Sequence, residues 1–293
     1  MCRLFGMSGG REPVRATFWL LEAPDSLSQQ SRREPDGTGL GTFDPHGKPI
    51  VSKQPLAAYE DQQFAQEARE VSSRTFVAHV RYASTGAVSP KNTHPFEQRD
   101  RLFAHNGVIE DLDRLERELG DDGMSLVQGD TDSERFFALI TREIERDGDV
   151  GGAIVRAAGW IAENLPVFAL NVVLITDGEL WALRYPDVHD LFVLERAAGG
   201  PSGRRHLEHA SARGSVRVRS GDLARRPAVV IASEPMDEDA GWHALRSGEL
   251  LHVDPGLRVT ITRPLDRPPA HQLTLADLGG RAAASQAPAQ QHG

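Results

Sequence analysis

Two consecutive helix-length segments bracketed by β-rich runs constrain this chain more than any other feature. Asp132–Asp147 carries Phe136, Phe137, Leu139, Ile140 and Ile144 on one side of a helix, and Val150–Leu165 follows after a short break. Before them, strands are expected at Cys2–Ser8, in a run ending near Phe43, at the alternating Thr75–Tyr82 (TFVAHVRY) and at Arg101–His105. After them come Phe168–Thr176, Leu180–Tyr185, Leu191–Glu195, Val216–Arg219, Ala228–Ser233 and Leu257–Ile261, some joined by tight turns such as Asp177-Gly178. This is not the regular β–α alternation of a doubly wound parallel sheet. It predicts an α+β fold of stacked sheets flanked by helices. Minor helices are expected at Val14–Leu21, with a polar continuation through Ser26–Ser31, at Asp61–Val71 and at Asp111–Leu119. No repeat of 20–50 residues is evident.

A chain of 293 residues suits one large α/β-containing domain or two small ones. Its net charge of −9 argues against a general electrostatic grip on nucleic acid or anionic lipid. The start MCRLFGMSGG has neither a basic leader nor a continuous apolar stretch, and no apolar run approaches membrane-spanning length. A soluble, cytoplasmic protein is the expectation. Arg196–Arg226 holds eight arginines against two acids; without interleaved aromatics it reads as a solvated hairpin rather than a patch for an anionic partner. From Pro264 the chain turns Pro-, Ala- and Gln-rich. We therefore divide it into a folded domain over 2–263 and a disordered tail over 264–293.

The one cysteine is Cys2, directly behind the initiator methionine. A single cysteine excludes an internal disulfide framework and fits a reducing compartment. Removal of Met1, favoured by a small second residue, would leave a thiol and a free α-amine on the same residue. An α-amine titrates near pH ~8, so part of it is unprotonated at neutral pH and can act as a base. Nucleophile and base then share one residue, the arrangement of N-terminal-nucleophile enzymes. The plain alternative is a lone, inert cysteine.

Four further islands carry candidate chemistry. In His79-Val80-Arg81-Tyr82-Ala83-Ser84-Thr85-Gly86, Arg81 lies two residues from His79 and so on the same strand face. Its planar fork suits a carboxylate, although a solvated edge arginine would look the same. Asn92-Thr93-His94-Pro95-Phe96 reads as a structural turn fixed by Pro95, with no catalytic role. Asn106-Gly107 between apolar residues is a strong hairpin signal; the sharper alternative is an oxyanion hole built from the Asn106 amide and the Gly107 N–H. In Gly129-Asp130-Thr131-Asp132-Ser133-Glu134, Thr131 and Glu134 match a helix capping box, and Asp132 is placed to meet a substrate ammonium.

Other chemistries find little support. His206-x-x-His209 is the only notable histidine spacing, and there is no HExxH, no cysteine pair, no G-x-S-x-G elbow and no Walker A or G-x-G-x-x-G motif. No metal and no cofactor are expected.

MCRLFG, AHVRYASTG, NTHPF, HNGVI and GDTDSE, in this order and spacing, resemble the class II glutamine amidotransferases, and most of all their stand-alone bacterial branch. The later Ile231-Ala232-Ser233-Glu234 resembles a core strand of the same family. The resemblance implies a four-layer αββα Ntn-hydrolase sandwich and a site that hydrolyses a glutamine amide. It implies Cys2 as nucleophile with its α-amine as base, Arg81 on the α-carboxylate of the substrate, Asp132 on its α-ammonium, and Asn106 with Gly107 on the oxyanion. Tyr82, Ser84 and Thr85 are possible loop contacts. They stand where amino-sugar synthase members have a tryptophan and a threonine–histidine pair, so loop closure and ammonia channelling are open. The related hydrolases of ergothioneine synthesis begin MCRHL, whereas this chain has Leu4. No acceptor domain is expected after Arg263. The expected substrate is glutamine or a γ-glutamyl amide, cleaved by a stand-alone hydrolase. The alternatives are a glutaminase subunit serving a separate synthase partner, and a non-catalytic glutamine-binding regulator on the same fold.

Overall fold

The computed structural model describes residues 2–33, 36–81, 89–198, 208–210, 217–219 and 226–287. In chain order its elements begin with β1 (Arg3–Ser8), a π-helical turn (Phe18–Glu22), α1 (Leu27–Gln30), β2 (Gly37–Phe43), β3 (Pro49–Gln54), α2 (Gln62–Glu70) and β4 (Thr75–Arg81). Next are a 3₁₀ turn (Pro90–Asn92), β5 (Phe96–Gln98), β6 (Arg101–Ile109), α3 (Leu112–Met124), α4 (Asp132–Asp147) and α5 (Val150–Asn164). The remainder is β7 (Val167–Ile175), β8 (Leu180–Arg184), β9 (Phe192–Arg196), β10 (Glu208–Ala210), β11 (Arg217–Arg219), β12 (Ala228–Ala232), β13 (His243–Ala244), β14 (Glu249–Val253), β15 (Val259–Thr262) and α6 (Gly280–Gln286).

Two antiparallel sheets dominate: a seven-stranded one ordered β13-β9-β12-β1-β4-β2-β3 and a six-stranded one ordered β15-β14-β8-β7-β6-β5. Their side chains sort by strand parity. Leu4, Val77, Leu102, Ala104, Val173 and Ile231 meet between the sheets. Phe5, Met7, Phe76, Ala78 and Val80 face the other way and pack with Trp19, Leu27 and Phe64 of the helical segments over the first sheet. Phe103, Val172 and Leu174 back onto Phe136, Phe137, Ile140 and Ile161 of α4 and α5. Helices, sheet, sheet and helices form the four layers of an Ntn-hydrolase sandwich, as expected. The close sheet contact needs Gly6, where a Cβ would lie 2.8 Å from a methyl of Val173.

The two long helices fall where their periodicity placed them. Thr131 caps α4, its Oγ1 accepting from Glu134 N at 3.2 Å. The reciprocal half of the expected capping box is displaced: Glu134 Oε2 accepts from Gly129 N at 2.6 Å rather than from the cap residue itself.

Three expectations need correction. Val14–Leu21 is not a helix: Val14 pairs with Ser73 in an isolated bridge, and the helical turn starts at Phe18. Asn106-Gly107 is not a turn, because β6 continues through it to Ile109, paired with β7 from Leu102 onward. Tertiary pairing overrides the local Asn-Gly preference here. The tail is not without structure from 264, since 264–287, although largely exposed, is tied to the body of the fold by hydrogen bonds. Val167 N donates to His271 O at 3.0 Å, Leu273 N to Val167 O at 2.8 Å, and α6 closes the segment. Backbone pairing beside β7 supplies order that a composition poor in large apolar residues does not announce. In the arginine-rich stretch, Arg196 is buried at the end of β9, and β10 and β11 pair as a hairpin; most of the remainder lies outside the described residues. Among the described residues no helix is long and apolar enough to cross a membrane.

Candidate active site

One end of the sandwich gathers the candidate residues. Cys2 precedes β1, Arg81 ends β4, Asn106 and Gly107 lie in β6, and Asp132 opens α4. All five line one small cavity. Parity explains this: Leu4 points between the sheets, so Cys2, two residues earlier, shares that direction. Asn106 lies on the same strand face as the inward Leu102 and Ala104, and Arg81 on that of the inward Val77. Asn106 Nδ2 donates to the Cys2 carbonyl at 3.1 Å, joining the two sheets at this end. The Asn106 Oδ1 is buried with no hydrogen-bond partner.

The start of β1 is held firmly. Leu4 N donates to Ser233 Oγ at 2.9 Å and Ser233 N to Leu4 O at 3.1 Å, while Arg3 Nε donates to Glu234 Oε1 at 2.8 Å. The segment Ile231–Glu234 therefore fixes where Cys2 sits. Arg81 is buried. That burial lowers its pKa below the ordinary arginine value, opposed by the charges of Cys2, Asp36 and Asp132, while Arg281 adds to the depression. Arg81 is thus within electrostatic reach of both Cys2 and Asp132.

Asp132 is buried at the first turn of α4, where the helix dipole favours a carboxylate. Its Oδ2 accepts from Ile109 N at 2.9 Å, tying α4 to β6 just past a register shift in the β6–β7 ladder. Gly107 is dictated by space, since a Cβ there would lie 1.7 Å from Ala169 O. Closeness to β7, rather than a turn, is what this glycine provides.

Several residues that line the cavity went unpredicted. Asn92, in the segment read as a plain turn, receives Asp130 N on its Oδ1 at 2.9 Å and donates from Nδ2 to Asp130 Oδ2 at 3.2 Å, which steadies the loop before α4. His94 from the same segment packs against His79 with ring centroids 4.2 Å apart and the ring planes tilted by 42°. All four ring nitrogens of this pair are buried without a hydrogen-bond partner. Burial pushes the His79 pKa down to about 3, with Arg81 and His105 adding to the effect, and burial likewise holds His94 well below its ordinary value. Both rings are neutral at pH 7. The Gly39 of β2 makes room for His94: a Cβ there would lie 1.9 Å from the His94 carbonyl oxygen. A glycine-rich strand opposite a histidine–proline loop was the available signal.

His105 faces the other side of β6. Its Nε2 lies 3.1 Å from Ala169 O, which can only accept, so that nitrogen carries the proton. Burial keeps the ring neutral despite the raising effects of Asp132 and the Ala169 carbonyl. Its Nδ1 then accepts from Ser133 Oγ at 2.9 Å. The Ser133 proton is thereby committed to His105 rather than to Asp132 Oδ1, 3.4 Å away. Tyr82, Ser84 and Thr85 lie outside the described residues. No group of three or more histidine, cysteine or acidic side chains stands ready for a metal among the described residues.

The family model for class II glutamine amidotransferases matches residues 1–275. The chain belongs to this family. A probable glutamine amidotransferase of Saccharomyces cerevisiae is 30% identical over 186 residues, covering 54% of this chain and 52% of the yeast protein. The chain thus spans about half the length of that relative. The gamma-glutamyl-hercynylcysteine sulfoxide hydrolase of Mycolicibacterium smegmatis is 27% identical over 264 residues, covering 86% of this chain and 96% of the hydrolase. A glutamine aminotransferase class-II domain protein of Silicibacter pomeroyi shares the fold, with a TM-score of 0.58, 22% identity, and coverage of 89% of this chain and 99% of that one. Family and relatives mark an amide-cleaving enzyme of the Ntn type.

Proposed function

We propose that this protein cleaves the side-chain amide of glutamine or of a γ-glutamyl amide, with Cys2 as the nucleophile. The observation that carries the reading is the shared cavity of Cys2, Arg81, Asn106, Gly107 and Asp132, with Asn106 hydrogen-bonded to Cys2 itself. An amino-acid head group needs an anion binder and a cation binder close together, and Arg81 and Asp132 supply the pair. Cleavage further needs a nucleophile and neutral donors beside the reacting carbonyl, which Cys2 and Asn106 provide.

In this reading, removal of Met1 exposes the Cys2 α-amine. The amine takes the thiol proton as sulfur attacks the amide carbon, and the negative charge on the carbonyl oxygen is met by the Asn106 amide and the Gly107 N–H. Collapse breaks the C–N bond, and the amine-borne proton passes to the leaving nitrogen. Water then attacks the γ-glutamyl thioester, giving glutamate and regenerating the thiol. The long overlap with a γ-glutamyl hydrolase supports a stand-alone hydrolase.

The test is glutamate release by the purified chain from glutamine and a panel of γ-glutamyl amides. Release by the parent and its loss in Cys2→Ala is the expected result. Turnover that survives Cys2→Ala overturns the nucleophile assignment. Turnover that appears only when a synthase is added replaces the hydrolase with a docked glutaminase, and tight glutamine binding with no cleavage at all replaces it with a regulator.

A further inference from the structure

The end of the described chain returns to the catalytic cavity. Gln286, the last residue of α6, is 2% exposed and lines the same cavity as Cys2, Arg81 and Asn106. Its Oε1 lies 2.7 Å from Nε2 of His189, itself buried, and Ser285 beside it is fully buried. The His189 backbone is fixed in turn, its carbonyl receiving Asn171 Nδ2 at 3.1 Å and Arg184 Nε at 2.9 Å. Arg281, near the other end of α6, is close enough to Arg81 to depress it electrostatically. The helix therefore lies alongside the cavity, with one end near the candidate carboxylate binder and the other on His189.

With α6 in place the free space in the cavity is about 20 Å³, room for roughly one water molecule. A γ-glutamyl group is several times larger. Meanwhile α6 is weakly built. It has seven residues and no side-chain cap, too short to persist alone. Its apolar contact is made through the partly buried Ala282 and Ala283 against Val108, Phe168, Ala169 and Leu278, the last of which precedes the helix, so little apolar area comes from α6 itself. Gly279 and Gly280 lead into it, and a Cβ at either would meet nothing within 4 Å. Packing does not demand those glycines, whereas a hinge uses their backbone freedom.

We propose that α6 is a lid on the amide site, hinged at Gly279-Gly280 and latched by the Gln286–His189 hydrogen bond, so that substrate reaches Cys2 when the lid withdraws. This inference rests on Cys2 being the reactive group of the proposed function. The withdrawn segment uncovers the cavity beside Arg81 and Asp132, and reclosure holds a bound γ-glutamyl group against Cys2. Such a gate draws on a low-stability element, as α6 is.

The test uses the full chain and iodoacetamide, a small neutral alkylating probe, against the one cysteine, with the adduct followed by mass spectrometry. Gln286→Ala removes both bulk and latch; Gln286→Met keeps the bulk and drops the hydrogen bond. Losing one neutral hydrogen bond shifts a closed–open equilibrium by roughly two- to tenfold. Cys2 alkylation should accelerate by that factor in both variants, with a matching fall in KM for whichever amide is hydrolysed. Alkylation at the parent rate in both variants overturns the lid, and so does slower alkylation. The two readings fail separately. Faster alkylation without hydrolysis of any amide keeps the lid and removes the amide function; normal hydrolysis with unchanged alkylation keeps the function and removes the lid.

Discussion

Replacing His79 by glutamine should flatten the acid side of the stability profile. His79 is buried between the sheets, neither ring nitrogen has a partner, and Arg81 lies on the same strand face. Its folded-state pKa is about 3 against an unfolded value of 6.5. Above pH 6.5 the ring is neutral in both states and folding is indifferent to pH at this residue. As pH falls below 6.5 the unfolded chain binds the proton first, so stability falls until the folded pKa near 3 is passed. At pH 5 the loss is set almost wholly by the unfolded pKa and amounts to about 2 kcal/mol. Burial shifts His94 in the same direction, so the parent should lose more than His79 alone accounts for. Urea denaturation of the parent and His79→Gln at pH 7.5 and pH 5 measures the difference, since background titrations cancel between the two proteins. The parent should lose about 2 kcal/mol more than the variant over that interval. Equal losses would refute the argument that His79 is held neutral by burial.

Asn106→Ala should lower turnover by about 10²–10³ while the protein still folds, because the proposed mechanism loses one oxyanion donor; steady-state glutamate release and a thermal melt check the two halves. Gly107→Ala should destabilise the sandwich by several kcal/mol, roughly the range of severe core strain, since the new Cβ would collide with the Ala169 carbonyl; a fall in Tm well beyond that of Asn106→Ala reads it out. Activity should rise with deprotonation of the α-amine near pH ~7–8, and a single-turnover profile flat across that interval would remove the amine as base. Gly39→Ala should displace the His94–Pro95 segment, as its Cβ would lie 1.9 Å from the His94 carbonyl oxygen; a lowered Tm together with impaired turnover is the expected pair.

Local sequence fixed those elements whose periodicity and tertiary role agree. α4 has an apolar face and a threonine cap, and it falls where both placed it; the same holds for β4, whose alternation put His79 and Arg81 on one inward face. The motifs around Cys2, Arg81, Asn106 and Asp132 stand out in sequence because each carries a particular side-chain chemistry, and the fold brings them to one cavity. What chain order could not express is pairing. The Asn-Gly pair reads as a turn until β7 lies beside it, and then the same glycine is a close-contact residue within a strand. His94 and Asn92 reach the cavity through the bare backbone of β2 and the loop before α4, contacts between segments far apart in sequence. The approach of α6 to the site depends on His189, 97 residues away from Gln286. Composition alone marked that segment as tail, because order there comes mainly from hydrogen bonds to β7, α5 and the end of β8 and from Gln286–His189, rather than from an apolar pattern of its own.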